Sequence, residues 1–224
     1  MTSTVDPSAV TWTPPAEVIW HDDILINREP YPTRNYAPDY GPNSDAYLGS
    51  LTYGQRDVLR AIHEAAHAVA VLAGGGYIHD ARIMTTAELR THEPSDQGTV
   101  SGQVRGCNLP SGTAHAVFIG AGERAEDRWL RESGLWTSTL AAGVEMGAYG
   151  DRTALLRDNP HIGFGTGQDY VVVHDLADHF LSEHWTRILS VASALASRLR
   201  LDGDEVAALA GLPNGTHSPT CDFT

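Results

Sequence analysis

Apolar residues at Leu59, Ile62, Ala66, Val69 and Ala70 recur at steps of three and four, the repeat of one helical face. Just ahead of them, Thr52-Tyr53-Gly54-Gln55 places a threonine hydroxyl and a glutamine amide where each can satisfy a free N–H at a helix start. Gly74-Gly75-Gly76 ends the run. The pattern predicts a helix from Tyr53 to about Leu72. Tyr77 to Met84 then alternates loosely and reads as a strand. Thr99 to Arg105 reads as its partner, across a polar loop through Pro94-Ser95-Asp96-Gln97-Gly98. A second long helix is expected from Ser111 or Thr113 to about Glu132, and short ones near Ser138–Met146 and Arg152–Arg157. A third long helix is expected from Asp169 to about Ala196. A last short one, Gly203–Ala210, is capped by Asp202 with Glu205 three residues on.

Ahead of Thr52 no such period persists. Residues 1–50 are rich in Pro, Tyr, Asp and Asn, and read as an extended, partly disordered arm whose Trp12, Trp20 and tyrosines favour packing over solvation. Residues 51–212 form the expected domain, and 213–224 a flexible tail. The fold class is therefore α+β and mainly α-helical, with a small β-hairpin or sheet and a C-terminal helical bundle.

Composition narrows the chemistry. The net charge is −13 over 224 residues, which disfavours nucleic acid and anionic lipid as partners. All 15 basic residues are arginine, so a Walker A lysine, a Schiff-base lysine and a lysine general base are excluded. The only cysteines, Cys107 and Cys221, are too few for a disulfide scaffold. No apolar run is long enough to span a bilayer, and Met1 to Pro15 lacks the basic-then-apolar order of a secretory signal. A cytoplasmic location is expected.

The first helix carries His63-Glu64-Ala65-Ala66-His67. Residues four apart are rotated by about 400°, so both imidazoles face one point, while Glu64 stands about 100° to the side. Zinc accepts neutral imidazole nitrogen, and a carboxylate beside it can take a proton from water and pass it to a leaving amine. His63 and His67 are thus candidate zinc ligands and Glu64 the candidate general base. The intervening alanines leave room for close packing. Two histidines and a glutamate on one apolar helix would be costly in a core without a metal. A third protein ligand is required, and an open fourth position. The extended H-E-x-x-H-x-x-G-x-x-H signature is absent, because Ala70 and Ala73 stand at its last two fixed positions.

Ile62-His63-Glu64-Ala65-Ala66-His67-Ala68-Val69 resembles the H-E-A-G-H-A helix of the peptidase domain of FtsH-type zinc proteases. Gly122-Glu123-Arg124-Ala125-Glu126-Asp127 is similar to that family's G-R-A-A-E-E helix, and Gly165-Thr166-Gly167-Gln168-Asp169-Tyr170 to its G-A-S-N-D-L segment. Asp175-Leu176-Ala177 and Leu201-Asp202-Gly203-Asp204-Glu205-Val206 follow in the same order. The resemblance covers about residues 52–212. It implies a zincin-like metallopeptidase with Asp169 as third zinc ligand. Two alternatives stay open: Asp151, because Gly147-Ala148-Tyr149-Gly150-Asp151 also fits a G-A-x-x-D pattern, and Glu126, as in proteases that use a glutamate from a downstream helix.

These 224 residues contain neither the ATPase module nor the transmembrane part of that family. The expected substrate is accordingly a flexible or already unfolded polypeptide, with an unfoldase or other partner acting in trans. The strand at Thr99–Arg105 is a candidate edge for binding substrate as an added strand. Cys107 reads as a small buried hydrophobe or as an inhibitory thiolate on the zinc. His115, His174, His179 and His184 read as surface or supporting residues. The competing function is a non-catalytic, zinc-stabilised interaction module that keeps the peptidase fold.

Overall fold

The computed structural model describes residues 25–26, 29–30, 47–91, 101–108, 112–158, 170–218 and 221. Most of the expected arm lies outside them. Its described part includes a short antiparallel ribbon, β1 (Leu25–Ile26) with β2 (Glu29–Pro30).

The main body follows as α1 (Tyr53–Ala73), β3 (Tyr77–Ile83), α2 (Thr86–Thr91), β4 (Gly102–Cys107), α3 (Thr113–Glu132), α4 (Ser138–Gly147), α5 (Tyr149–Asp158), α6 (Tyr170–Arg198), β5 (Arg200–Asp202) and α7 (Gly203–Ala210). It is mainly helical, with a three-stranded antiparallel sheet in the order β4-β3-β5. Among the described residues no helix is long and apolar enough to cross a membrane.

α1 starts where its capping box sits. The Thr52 amide donates to Gln55 Oε1 at 2.8 Å, and the Gln55 amide donates to Thr52 Oγ1 at 3.3 Å. α1 is then buried nearly all round from Ala61 to Leu72. This is possible because so many of its residues are alanine. α3 and α6 approach one side and the sheet another, around a core of Ile62, Val69, Ile78, Leu181, Ile188 and Leu195. A smaller core of Leu51, Leu59, Leu130, Leu140 and Val144 seats α4.

Buried charges tie the helices together. Arg124 on α3 is fully buried and donates to both carboxylate oxygens of Asp178 on α6, at 2.7 and 3.0 Å. Burial disfavours the charge on Arg124, but Asp127 and Asp178 more than offset it and hold its pKa above the ordinary value.

Two elements of the main body were not expected from the sequence, α2 and β5. β5 exists because Leu199 adopts a left-handed conformation, φ 64°, which ends α6 and turns the chain onto the sheet. Such a φ is costly for a residue with a Cβ. It is retained here as the Leu199 carbonyl accepts from the Ile83 amide at 2.9 Å and the side chain packs against the core. α7 opens on its expected cap, with Glu205 N–H to Asp202 Oδ1 at 2.8 Å and Asp202 N–H to Glu205 Oε2 at 3.0 Å.

Candidate metal centre

α1 presents His63 and His67 toward α3 with their Nε2 atoms 2.9 Å apart. Asp151, in the first turn of α5, completes a triangle. Its Oδ2 lies 3.1 Å from His63 Nε2 and 3.5 Å from His67 Nε2. Ligand atoms held about 2.0–2.1 Å from a tetrahedral zinc ion stand about 3.3 Å apart, so all three edges are close to the required length.

The outer ring nitrogens fix the tautomers. His67 Nδ1 lies 2.7 Å from the Phe118 carbonyl, which only accepts, so Nδ1 carries the proton and Nε2 turns its lone pair inward. His63 Nδ1 faces Glu126 Oε2 at 3.2 Å, a carboxylate–histidine pair of the kind that orients metal ligands. Two imidazole lone pairs and a carboxylate oxygen therefore converge on one point. That arrangement is repulsive unless a cation sits among them. The protein groups alone register the same demand. Burial opposes a proton on His63, yet Glu126 and Asp151 together raise its pKa well above the ordinary value. Burial likewise opposes charge on Asp151, yet His67 and His63 hold its carboxyl far below the usual range.

Gly122 on α3 leaves room for an ion at this point. A Cβ built there would lie 2.6 Å from Nε2 of both histidines. The missing side chain is what leaves the point between the imidazoles open, and the donor set is one that suits zinc. A glycine inside a helix costs about 1 kcal/mol relative to alanine, so its presence in mid-α3 was the available sequence signal of a close approach.

Glu64 stands beside this point, 8% exposed. Burial is the main influence on it and raises its pKa, against the opposing pull of His63 and His67. The start of β4 passes directly over it, for a Cβ on Gly102 would collide with the Glu64 carboxylate. Among the described residues β4 is an edge strand, so an edge with unused main-chain groups runs past the carboxylate.

Asp151 is held in place by its neighbour. Arg152, buried, donates from Nε to Glu123 Oε2 at 2.8 Å and from Nη2 to Glu123 Oε1 at 2.6 Å, which pins α5 to α3. His174 Nε2 adds a contact to Glu123 Oε1 at 3.5 Å. Burial works against the Glu123 carboxylate, but Arg152 and His174 outweigh it and lower its pKa to about 2.

Of the residues singled out in the sequence, His63, Glu64, His67 and the alternative third ligand Asp151 meet at this point. Asp169, the expected third ligand, lies outside the described residues. Glu126 approaches Nδ1 of His63 rather than Nε2, so it orients a ligand and does not complete the set. Cys107 is not placed as a thiolate over this site. It sits at the other end of β4 from Gly102, about 17 Å along the strand at about 3.3 Å per residue. Gly122, Arg152 and Glu123 had not been assigned roles from the sequence. No protein-family model matches the chain, and no curated protein matches it.

Proposed function

We propose that the chain is a zinc metallopeptidase of the HExxH type, similar in its site to FtsH-type proteases, with His63, His67 and Asp151 as the ligands. The observation that carries the reading is the convergence of three electron-pair donors at tetrahedral spacing, with a buried carboxylate alongside. Three protein ligands leave the fourth position for water or substrate, as hydrolysis requires and as a purely structural site does not. Glu64 is then explained as well, since a structural site has no use for it.

Zinc would supply Lewis acidity, lowering the pKa of a water and polarising the scissile carbonyl. Glu64 takes one proton from that water as its oxygen bonds to the carbonyl carbon. The same carboxyl returns the proton to the amide nitrogen as the C–N bond breaks, so Glu64 ends as it began and the products are an acid and an amine. A carboxyl whose pKa burial has raised is suited to both halves of this exchange. The main chain of β4 supplies an edge on which an extended peptide can lie as an added strand past Glu64. Such binding needs the substrate extended, so flexible or unfolded polypeptide is the substrate class, delivered as such or by an unfolding partner.

Zinc-loaded protein is expected to cleave an unfolded casein-like substrate. Glu64→Gln should retain zinc and lose about 10²–10⁴-fold in rate. Equal inactivity of wild type and Glu64→Gln across a broad peptide library would overturn the peptidase reading and leave only the metal site standing.

A further inference from the structure

The two cysteines of this chain lie 114 positions apart in the sequence, yet both come to the same histidine. The sheet brings them there. Cys107 ends β4 opposite Tyr77 on β3, and cross-strand partners share a face. His79 lies two residues beyond Tyr77, at an irregularity between Ile78 and Asp80 where the β3–β4 register shifts. Bulges of this kind re-aim a side chain. Tyr77 and His79 stand edge to face, with ring centroids 4.9 Å apart.

The chain after α7 delivers the rest. Gly211, at φ 60°, turns it back. Asn214 then uses its carboxamide as a surrogate peptide against β3. Its Oδ1 accepts from the Ile78 amide at 2.8 Å and its Nδ2 donates to the Ile78 carbonyl at 3.0 Å. The Gly215 amide donates to the Gly76 carbonyl at 3.1 Å, and Asn108 Nδ2 to the Thr216 carbonyl at 2.7 Å. Gly215 is required there, because a Cβ would strike the Gly75 and Gly76 carbonyls. Held by these hydrogen bonds, the segment places the His217 ring 5.1 Å from that of His79. The Cys221 amide donates to the Ser218 carbonyl at 3.0 Å, and Cys221 Sγ lies 3.5 Å from His79 Nε2.

We propose that His79, Cys107 and Cys221 form a second zinc site that clasps the C-terminal segment to the sheet. The ligand atoms of His79, Cys107 and Cys221 lie within 4.8 Å of one another. At tetrahedral zinc, with S and N at about 2.3 and 2.0 Å, a sulfur and a nitrogen stand about 3.5 Å apart, the separation found between Cys221 and His79. Two thiolates and one imidazole are a donor set that suits zinc. The two thiolates balance the charge of the ion. Neither cysteine is in a disulfide. The site lies at the end of β4 away from Gly102 and Glu64, so it holds the fold and takes no part in hydrolysis.

Cobalt(II) tests this on the whole reduced chain, because thiolate ligation gives an intense near-ultraviolet charge-transfer band that imidazole and carboxylate do not. The expected result is that band in wild type and in His67→Ala, and its loss in Cys107→Ser/Cys221→Ser. Metal analysis should find two zinc ions per wild-type chain and one in each variant. The wild-type spectrum needs no variant to fold. Absence of the thiolate band in the reduced wild type would overturn the proposal. So would recovery of Cys107 and Cys221 as a disulfide from protein purified without reductant in the presence of zinc.

Discussion

Replacing Gly122 with alanine puts a methyl group 2.6 Å from Nε2 of both His63 and His67, where ordinary contact begins at 3.4 Å. Something must yield by about 0.8 Å. α3 cannot easily withdraw, since Arg124 ties it to Asp178 and Gly120 already lies against α6, where a Cβ would meet Val173 Cγ1 at 3.1 Å. The imidazoles cannot easily retreat either, held as they are by Phe118 and Glu126. The metal-free protein loses about 1–3 kcal/mol to overpacking and regains about 1 kcal/mol from alanine's helix propensity. The net cost is therefore small. The metal term behaves differently, because the methyl group takes the space between the donors. With zinc at a hundred times its dissociation constant, wild type gains about 2.7 kcal/mol, or roughly 5–10 °C in Tm for a chain of this size. Gly122→Ala should keep the wild-type circular dichroism and lose that gain. The assay is thermal unfolding with and without zinc, in the Cys107→Ser/Cys221→Ser background so that only the histidine site reports. A zinc-dependent Tm increment equal to that of Gly122 would refute the placement of the ion between the imidazoles and α3.

Further expectations follow from the same geometry. Asp151→Asn should lower zinc affinity and abolish cleavage while Asp169→Asn retains both, as read by zinc competition and peptide hydrolysis; the reverse pattern would transfer the third ligand to Asp169. Arg152→Ala removes one partner of a buried ion pair and should cost about 3–5 kcal/mol in chemical denaturation. Through the lost placement of Asp151 it should also weaken zinc about 10–100-fold, the range for groups that orient a ligand. The Glu123 pKa lies below its ordinary 4.5 at about 2, so its stabilising contribution is complete above about pH 4.5 and is lost as pH falls toward 2. A shift of that size corresponds to on the order of 3 kcal/mol. Acid titration of unfolding should accordingly show a steeper loss over that window in wild type than in Glu123→Gln/Arg152→Met.

Local features were the legible ones. α1 and α7 announce themselves through a capping box and a polar or glycine stop within a few residues, and the His63–His67 pair follows from helical geometry alone. The mainly helical α+β class followed from the same patterns. What the sequence concealed depends on contacts between distant segments. Asp151 reaches the imidazoles only because Arg152 finds Glu123, 29 positions earlier and on another helix. β5 depends on Leu199 in a conformation no propensity would assign to leucine. Residues 213–218, in the segment expected to fray, are hydrogen-bonded to β3 and to the end of β4 through Asn214, Gly215 and Thr216, a role their polar composition does not reveal. Gly122 stood in plain view, but its purpose appears only when α3 is seen against the two rings.

One ion is expected among His63, His67 and Asp151, with a position left open beside Glu64. Anomalous diffraction from a zinc-loaded crystal, collected on either side of the zinc absorption edge, measures this directly. The expected result is a peak about 2.0–2.2 Å from Nε2 of both histidines and from one Asp151 oxygen, with no fourth protein ligand. A peak coordinated by four protein groups, or no peak between His63 and His67, would contradict it.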